Sequence, residues 1–383
     1  MTSTTRTLWI GTYPAAGAGT AAGLGEGVWA VQLDPESRTL SDPRLAATSP
    51  APSFVATHPG GRVLYAVGEQ AAGTVTAFAA GPGGQLAALA VVSSGGADPC
   101  HLLLSPDARA LYVTNYTSGT VAVLLLDADG GFARETIAAG GPVTTLGGTG
   151  SPAGPDADRQ DGPHAHFAAL APGGAHLLVV DLGADELRRY RVEARGLLTA
   201  DGVAASLPPG TGPRHLAIGP DLDGRGELLY LVGELDATVH VLRWDRATST
   251  AATVQTLPAT TSPVRTGERA YPAHVVLEGD RLWISVRGAD VVASFAVDPA
   301  TGLLEPAGEV GSGGSWPRHF ARVDAVTVVV NQLSHAVAAL TSGPAATVHV
   351  PAPACITLMP GHTSRRWSTR RPRSGSTLRS SRA

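Results

Sequence analysis

Residues 99–116 read PCHLLLSPDARALYVTNY, and the fold turns on how this stretch is read. Two apolar runs, each too short for a helix and the second rich in β-branched and aromatic residues, flank the turn sequence SPDAR. That is strand, turn, strand. A third strand, GTVAVLLLD at 119–127, follows at once. The same phrase recurs as PSFVATHPGGRVLYAVGE from Pro52, PHAHFAALAPGGAHLLVVDL from Pro163, PRHLAIGPDLDGRGELLYLVGEL from Pro213, PAHVVLEGDRLWISVRG from Pro272 and PRHFARVDAVTVVVNQLS from Pro317. The opening prolines stand 47, 64, 50, 59 and 45 residues apart.

A repeat of about fifty residues that supplies three strands, with room for a fourth in the linking segment, makes one four-stranded antiparallel sheet. Such a sheet cannot bury both faces alone, so its copies must pack radially on one another, the architecture of a β-propeller. The count reaches seven through the termini. Residues 8–36 contain LWIGTY and GVWAVQLD, which match the later strands of a repeat but lack its opening phrase, and PAPACITLMP at 351–360 supplies the missing strand. The expectation is an all-β, seven-bladed propeller over residues 1–360 with one blade shared between N- and C-terminal strands.

Composition agrees with many short strands and turns: 47 Gly, 29 Pro, 43% hydrophobic and only 16% charged residues. All 28 basic side chains are Arg. Two cysteines, Cys100 and Cys355, are too few for a disulfide framework and read as small buried side chains. The segment 361–383 has no apolar periodicity and reads as a disordered tail. From His362 onward it holds seven Arg and no acid, so with a whole-chain net charge of −4 the rest of the chain carries −11. An acidic body argues against a nucleic-acid surface. With no apolar leader and no 18-residue apolar run, the chain reads as cytoplasmic and without a membrane partner, a monomer or weak homodimer.

Motifs that would point elsewhere fail on context. GAGTAAG at Gly17 has GxGxxxG spacing and a strand after it, against a dinucleotide loop. No Walker, HExxH, CxxC or GxSxG string is present.

Polar residues that are costly to bury cluster at two places in the repeat. The first, just after the opening proline, holds His101, His164, His166, Arg214, His215, His274, Arg318 and His319; the second, after the LYAV-type strand, holds Glu69, Asn115, Tyr116, Asp181, Glu234, Arg287, Asn331 and Gln332. Equivalent positions of successive blades ring one end of the channel, so these residues should converge there. Any one of these histidines or asparagines could instead be a turn tie within its own blade. Glu234 stands out as a candidate base, and Arg214, Arg287 and Arg318 could offer planar forks to a phosphate or carboxylate. No metal is expected, at His164 and His166 or elsewhere.

RQDGPHAHFAALAPGG from Arg159, GTGPRHLAIGPD from Gly210, LYLVGELDATVHV around Glu234 and WPRHFA from Trp316 together resemble the lactonase family of seven-bladed propellers, which includes bacterial 6-phosphogluconolactonases and fungal muconate cyclases. The resemblance implies a cofactor-free lactone hydrolase, foremost on 6-phospho-D-glucono-1,5-lactone, with an unphosphorylated or muconate-type lactone as the alternative. A non-catalytic binding platform is the reading outside enzymology. Carried over, the catalytic set is His164, Arg214, Glu234 and Arg287, with His101, Asn115, Tyr116, His166, His215, Arg318 and Gln332 placed around the substrate. Glu234 would take a proton from water, Arg214 or His164 would stabilise the oxyanion, and Arg287 with Arg318 would hold the substrate's anionic group.

Overall fold

In the 99–147 repeat, Pro99–Leu104, Ala110–Asn115, Thr120–Leu125 and Thr144–Gly147 pair in sequence order as one antiparallel sheet. Its first turn closes as SPDAR suggests: Ser105 Oγ accepts from the amides of Arg109 and Ala110 and donates to Asp107. The long spacing to the next repeat accommodates a short helix, Arg134–Ala139, between the third and fourth strands. A computed structural model describes residues 5–13, 27–148, 154–221, 227–264, 268–341 and 343–359 of the chain. Both GAGTAAG and the 361–383 tail lie outside these residues.

The described residues form seven four-stranded sheets, over 55–93, 99–147, 165–206, 213–258, 271–311, 317–349 and, for the seventh, 353–358 with 6–48. They are blades 1 to 7 below. The first strand of each blade contacts the first strand of the next, and Pro353–Leu358 contacts Val55–Thr57, so the inner strands form a closed ring. Second strands such as Ala110–Asn115 and Val326–Asn331 are buried at every residue because neighbouring blades cover both faces. Hence they read as continuous apolar runs. Outermost strands such as Leu86–Ser93 are largely exposed.

Closure follows the expected sharing. Pro353–Leu358 runs antiparallel to Arg6–Thr12, with Leu8 opposite Leu358 and Ile10 opposite Ile356. Blade 7 is then packed from both sides: Leu8, Ile10 and Ile356 join Val328 and Val330 of blade 6, while Trp9, Val28 and Cys355 join Val55, Leu64 and Phe78 of blade 1. Full burial of each large aliphatic is worth roughly 1.5–3 kcal/mol, so the closing strand is held by packing as well as by its ladder. Both cysteines are free and buried.

Candidate functional site

A break in strand pairing sets up the site. In blades 2 to 7 the register between the first and second strands slips by one residue near the start of the first strand. A bulge of this kind re-aims the extra side chain. The extra residues are Cys100, His166, Arg214, Ala273, Arg318 and Ala354. A second ring of positions lies just past the second strand and comprises Tyr13, Glu69, Tyr116, Leu182, Glu234, Gln332 and, at the strand's last residue, Arg287. Members of these two rings converge on one cleft of about 390 Å³, lined by Cys100, His166, Arg214 and Arg318 from the first and by Tyr13, Glu69, Tyr116, Glu234 and Arg287 from the second. Arg159 and Trp316, which precede inner strands, and Tyr271, which begins one, complete the lining.

One residue beyond the bulges of blades 2 to 6, and at Phe54 just before the first strand of blade 1, the side chains turn down the channel. Phe54, His101, Phe167, His215, His274 and His319 make a closed circle of rings, with successive centroids 4.6, 4.1, 4.5, 5.1, 3.7 and 5.9 Å apart. Burial holds the histidines neutral: His101 and His319 are pushed down to about 3, and His215 and His274 well below the usual value, with nearby positive groups adding to the effect. His215 and His274 share one proton between Nδ1 atoms 2.9 Å apart. The cleft thus has an uncharged aromatic floor.

Above the floor, Glu234 is 2% exposed and engaged on both oxygens. Its Oε2 lies 2.8 Å from Arg214 Nε and 2.8 Å from Arg287 Nη2, and its Oε1 lies 2.8 Å from Arg159 Nη2. Burial opposes its charge, but Arg287, Arg159 and Arg214 together outweigh burial and hold the carboxyl well below the ordinary range. Arg214, also tied to the Ala273 carbonyl, is drawn down to about 9 by burial and by Arg287, which leaves it protonated at neutral pH. Arg287 donates from Nε to the Tyr271 carbonyl at 3.2 Å and stands 5.5 Å over the Trp316 ring. Its neighbour Gly288 has φ +82°, and a Cβ there would run into the Arg269 carbonyl, so this turn requires glycine. Arg159 extends the cluster to the Tyr116 hydroxyl, 3.3 Å from both Nε and Nη2.

Across the cleft stands a second acid, Glu69. Ser53 Oγ donates to its Oε2, Tyr13 hydrogen-bonds it, and Arg318 is the positive group that pulls on it. Burial pushes the Glu69 carboxyl up, against the opposing pull of Arg318, Ser53 and Tyr13. The Tyr13 hydroxyl is raised to about 12, chiefly by Glu69. Arg318 stacks 4.2 Å over the Tyr13 ring, donates to Gln332 Oε1 at 3.5 Å, and forms no ion pair among the described residues. Tyr13 reaches this place because blade 7 abuts blade 1 there: Thr12 N donates to the Pro52 carbonyl, and at Gly11 any Cβ would strike that oxygen.

Of the residues picked from the sequence, Arg214, Glu234, Arg287, Arg318, Tyr116 and His166 meet at the cleft. The rest take other places. His164 lies behind Tyr116, stacked on its ring at 4.5 Å, with Nε2 on Asp161 and Nδ1 on the Tyr116 carbonyl. The blade 3 phrase is two residues longer than its siblings, so His166, not His164, occupies the Arg214 position. His101 and His215 belong to the floor, and Asn115 ties its own turn through Ser94 and Thr120. Gln332 is buried beneath Arg318. Sequence reading passed over Tyr13, Cys100, Arg159, Tyr271 and Trp316, and placed Glu69 in the ring without giving it a role. Extending the second register to LWIGTY in the shared blade would have found Tyr13.

Comparison with known proteins places the chain among lactone-processing propellers. The family described as Lactonase, 7-bladed beta-propeller, matches residues 7–348. A 6-phosphogluconolactonase of Bacillus subtilis (strain 168) is 31% identical over 314 residues, covering 82% of this chain and 83% of that protein. A 6-phosphogluconolactonase of Photorhabdus laumondii is 28% identical over 254 residues, covering 65% and 68%. Among solved structures, the periplasmic gluconolactonase PpgL of Pseudomonas aeruginosa superposes with a TM-score of 0.77 at 28% identity, over 93% of this chain and 99% of that one.

Proposed function

The chain belongs to the seven-bladed β-propeller lactonase family, and on that premise we propose that it hydrolyses 6-phospho-D-glucono-1,5-lactone to 6-phosphogluconate, the lactone-opening step of the pentose phosphate pathway. The observation that carries the substrate choice is charge: four guanidiniums and two carboxylates line one cleft, a net positive site. An anionic sugar fits it. Arg159 is 35% exposed against 3% for Arg214 and 6% for Arg287, so the outer edge at Arg159 receives the phosphate, and the lactone ring lies deeper against Arg214, Arg287 and Arg318. His166 Nδ1, buried and without a hydrogen-bond partner among the described residues, offers a further contact to the ring. A phosphorylated sugar does not cross membranes freely, and a cytoplasmic setting follows from this substrate.

Sequence reading assigned Glu234 the proton of the attacking water. A carboxylate held ionised by three guanidiniums accepts protons poorly, because a general base works best with a pKa near the operating pH. Glu234 is better used to orient Arg159, Arg214 and Arg287 as a fixed field for the developing oxyanion. Its pairing keeps that field in place without reorganisation during the reaction.

Structural likeness to a gluconolactonase favours a second reading, an unphosphorylated sugar lactone. Purified protein should speed the disappearance of the phosphorylated lactone above its spontaneous opening, followed by pH-stat. A rate equal with and without protein rejects hydrolysis, and equal kcat/KM for plain gluconolactone selects the second reading.

A further inference from the structure

We propose that Glu69, on the opposite side of the cleft from Glu234, is the residue that moves the proton in lactone opening, with Tyr13 and Ser53 as the hydroxyls that hold it. This rests on the hydrolysis proposed above. The argument begins with position. Glu69 follows the second strand of blade 1 as Glu234 follows that of blade 4, and both line the same cleft. Their partners differ in kind. Glu234 is saturated by three guanidinium contacts, whereas Glu69 is held by hydroxyls and forms no ion pair among the described residues. A carboxylate held by hydroxyls keeps more of its proton affinity than one clamped by three cations. Two acids whose surroundings drive their proton affinities apart mark the division between a proton carrier and a fixed charge.

The groups facing Glu69 come from four blades: Ser53 from its own, Asp98 and Cys100 from blade 2, Tyr13 from blade 7 and Arg318 from blade 6. Burial raises the Cys100 thiol to about 12, so it stays neutral. Arg318 and the two hydroxyls favour the Glu69 anion, burial and Asp98 favour the acid, and the balance lies above the ordinary carboxylate value. Such a group takes a proton more readily than an ordinary carboxylate and can return it.

In the first step the Glu69 carboxylate accepts a proton from water as the water oxygen bonds to the lactone carbonyl carbon. The carbonyl electron pair moves to oxygen, facing the arginines. Collapse of that intermediate breaks the bond from the carbonyl carbon to the ring oxygen, and protonated Glu69 returns its proton to the departing alkoxide. The product is the open hydroxy acid, which ionises in solvent. Water is consumed and Glu69 ends as it began.

The test is the pH dependence of kcat/KM on 6-phosphogluconolactone, corrected for spontaneous opening. Wild-type activity should fall as pH drops through the Glu69 pKa. Glu69→Gln should lower kcat by ~10²–10⁴-fold, the usual worth of a positioned acid–base group, and abolish that acid limb. Tyr13→Phe and Ser53→Ala each remove a donor to the carboxylate, so each should move the limb to higher pH. A purely structural role would not move it. Circular dichroism checks that Glu69→Gln is folded, and if it is not, the limb shifts in the other two variants decide. An active wild type whose Glu69→Gln variant keeps its rate and its limb overturns this inference alone, as do unshifted limbs in both hydroxyl variants. A wild type that does not accelerate opening overturns the proposed function and this inference with it.

Discussion

Glu234 and Glu69 occupy one structural position in two blades of the same ring, yet their neighbours force opposite behaviour. Blade 4 delivers its acid to Arg159, Arg214 and Arg287, each 2.8 Å away, and the cations outweigh burial. Blade 1 delivers its acid to two hydroxyls and a more loosely placed Arg318, and burial prevails. The repeat therefore fixes where a carboxylate stands, while residues from adjacent blades decide what it does. One half of the mouth is a rigid charge lattice; the other retains a group that can change protonation.

The largest effect expected from disturbing this contrast is that of Glu234→Gln. It leaves three guanidiniums crowded without their counter-ion, two of them buried, and breaking a buried ion-pair cluster from one side costs about 3–5 kcal/mol. Chemical denaturation should show that loss, and lactone opening should fall to the spontaneous rate. Full stability with full activity would dissolve the lattice.

Arg318→Gln attacks the other half. Arg318 has no ion pair among the described residues to leave behind, so stability should change little. A lost hydrogen bond to a charged group is worth about 1.5–3 kcal/mol, so kcat/KM should fall by roughly 10- to 150-fold. Steady-state kinetics beside a thermal melt separates these outcomes; a large stability loss with unchanged kinetics would reverse the assignment.

Stability against pH tests the contrast without substrate. Glu69 is raised in the folded protein, so above its unfolded pKa of 4.5 the native state binds more protons than the unfolded state, and this residue lowers stability as pH rises to its folded pKa. Glu69→Gln should therefore gain on wild type as pH rises above 4.5. Glu234 has the opposite sign: the stability it contributes is present above 4.5 and lost as pH falls below that. The histidine floor adds a loss shared by every variant, beginning as pH falls below 6.5, because the unfolded chain takes up protons that the buried rings refuse. Each ring contributes up to ~1.4 kcal/mol per pH unit. Denaturant titrations at several pH values read all three slopes, and an unchanged slope in Glu69→Gln would refute its raised pKa.

Smallest is the effect of His164→Ala. It removes a stacked ring behind Tyr116 without touching the cleft, and such a pair is worth about 0.5–1.5 kcal/mol, a loss of roughly 2- to 10-fold in kcat. A loss beyond 10³-fold, measured with the same lactone assay, would make His164 a participant.

The architecture was legible because each blade repeats its own phrase and each strand is short, apolar and bounded by turn residues. The seventh blade could be read because LWIGTY and PACITL each lack what the other supplies. The site was legible only in part. Arg214, Glu234 and Arg287 stand where the repeat places conspicuous charge. The bulge that separates cleft from floor leaves no mark in sequence, so Arg214 and His215 look alike although one faces the cleft and the other the plug beneath it. In blade 3 two extra residues make His164 look like the equivalent of Arg214, a place that His166 holds. Arg159 and Trp316 precede inner strands and Tyr271 begins one, and only ring closure brings them together.

The most direct measurement is kcat/KM for 6-phospho-D-glucono-1,5-lactone against plain gluconolactone on the intact protein. A net positive cleft predicts that the phosphorylated lactone is opened well above its spontaneous rate and preferred by about 10-fold or more, since one charged hydrogen bond is worth about 1.5–3 kcal/mol. Equal ratios, or no acceleration of the phosphorylated lactone, would contradict the account.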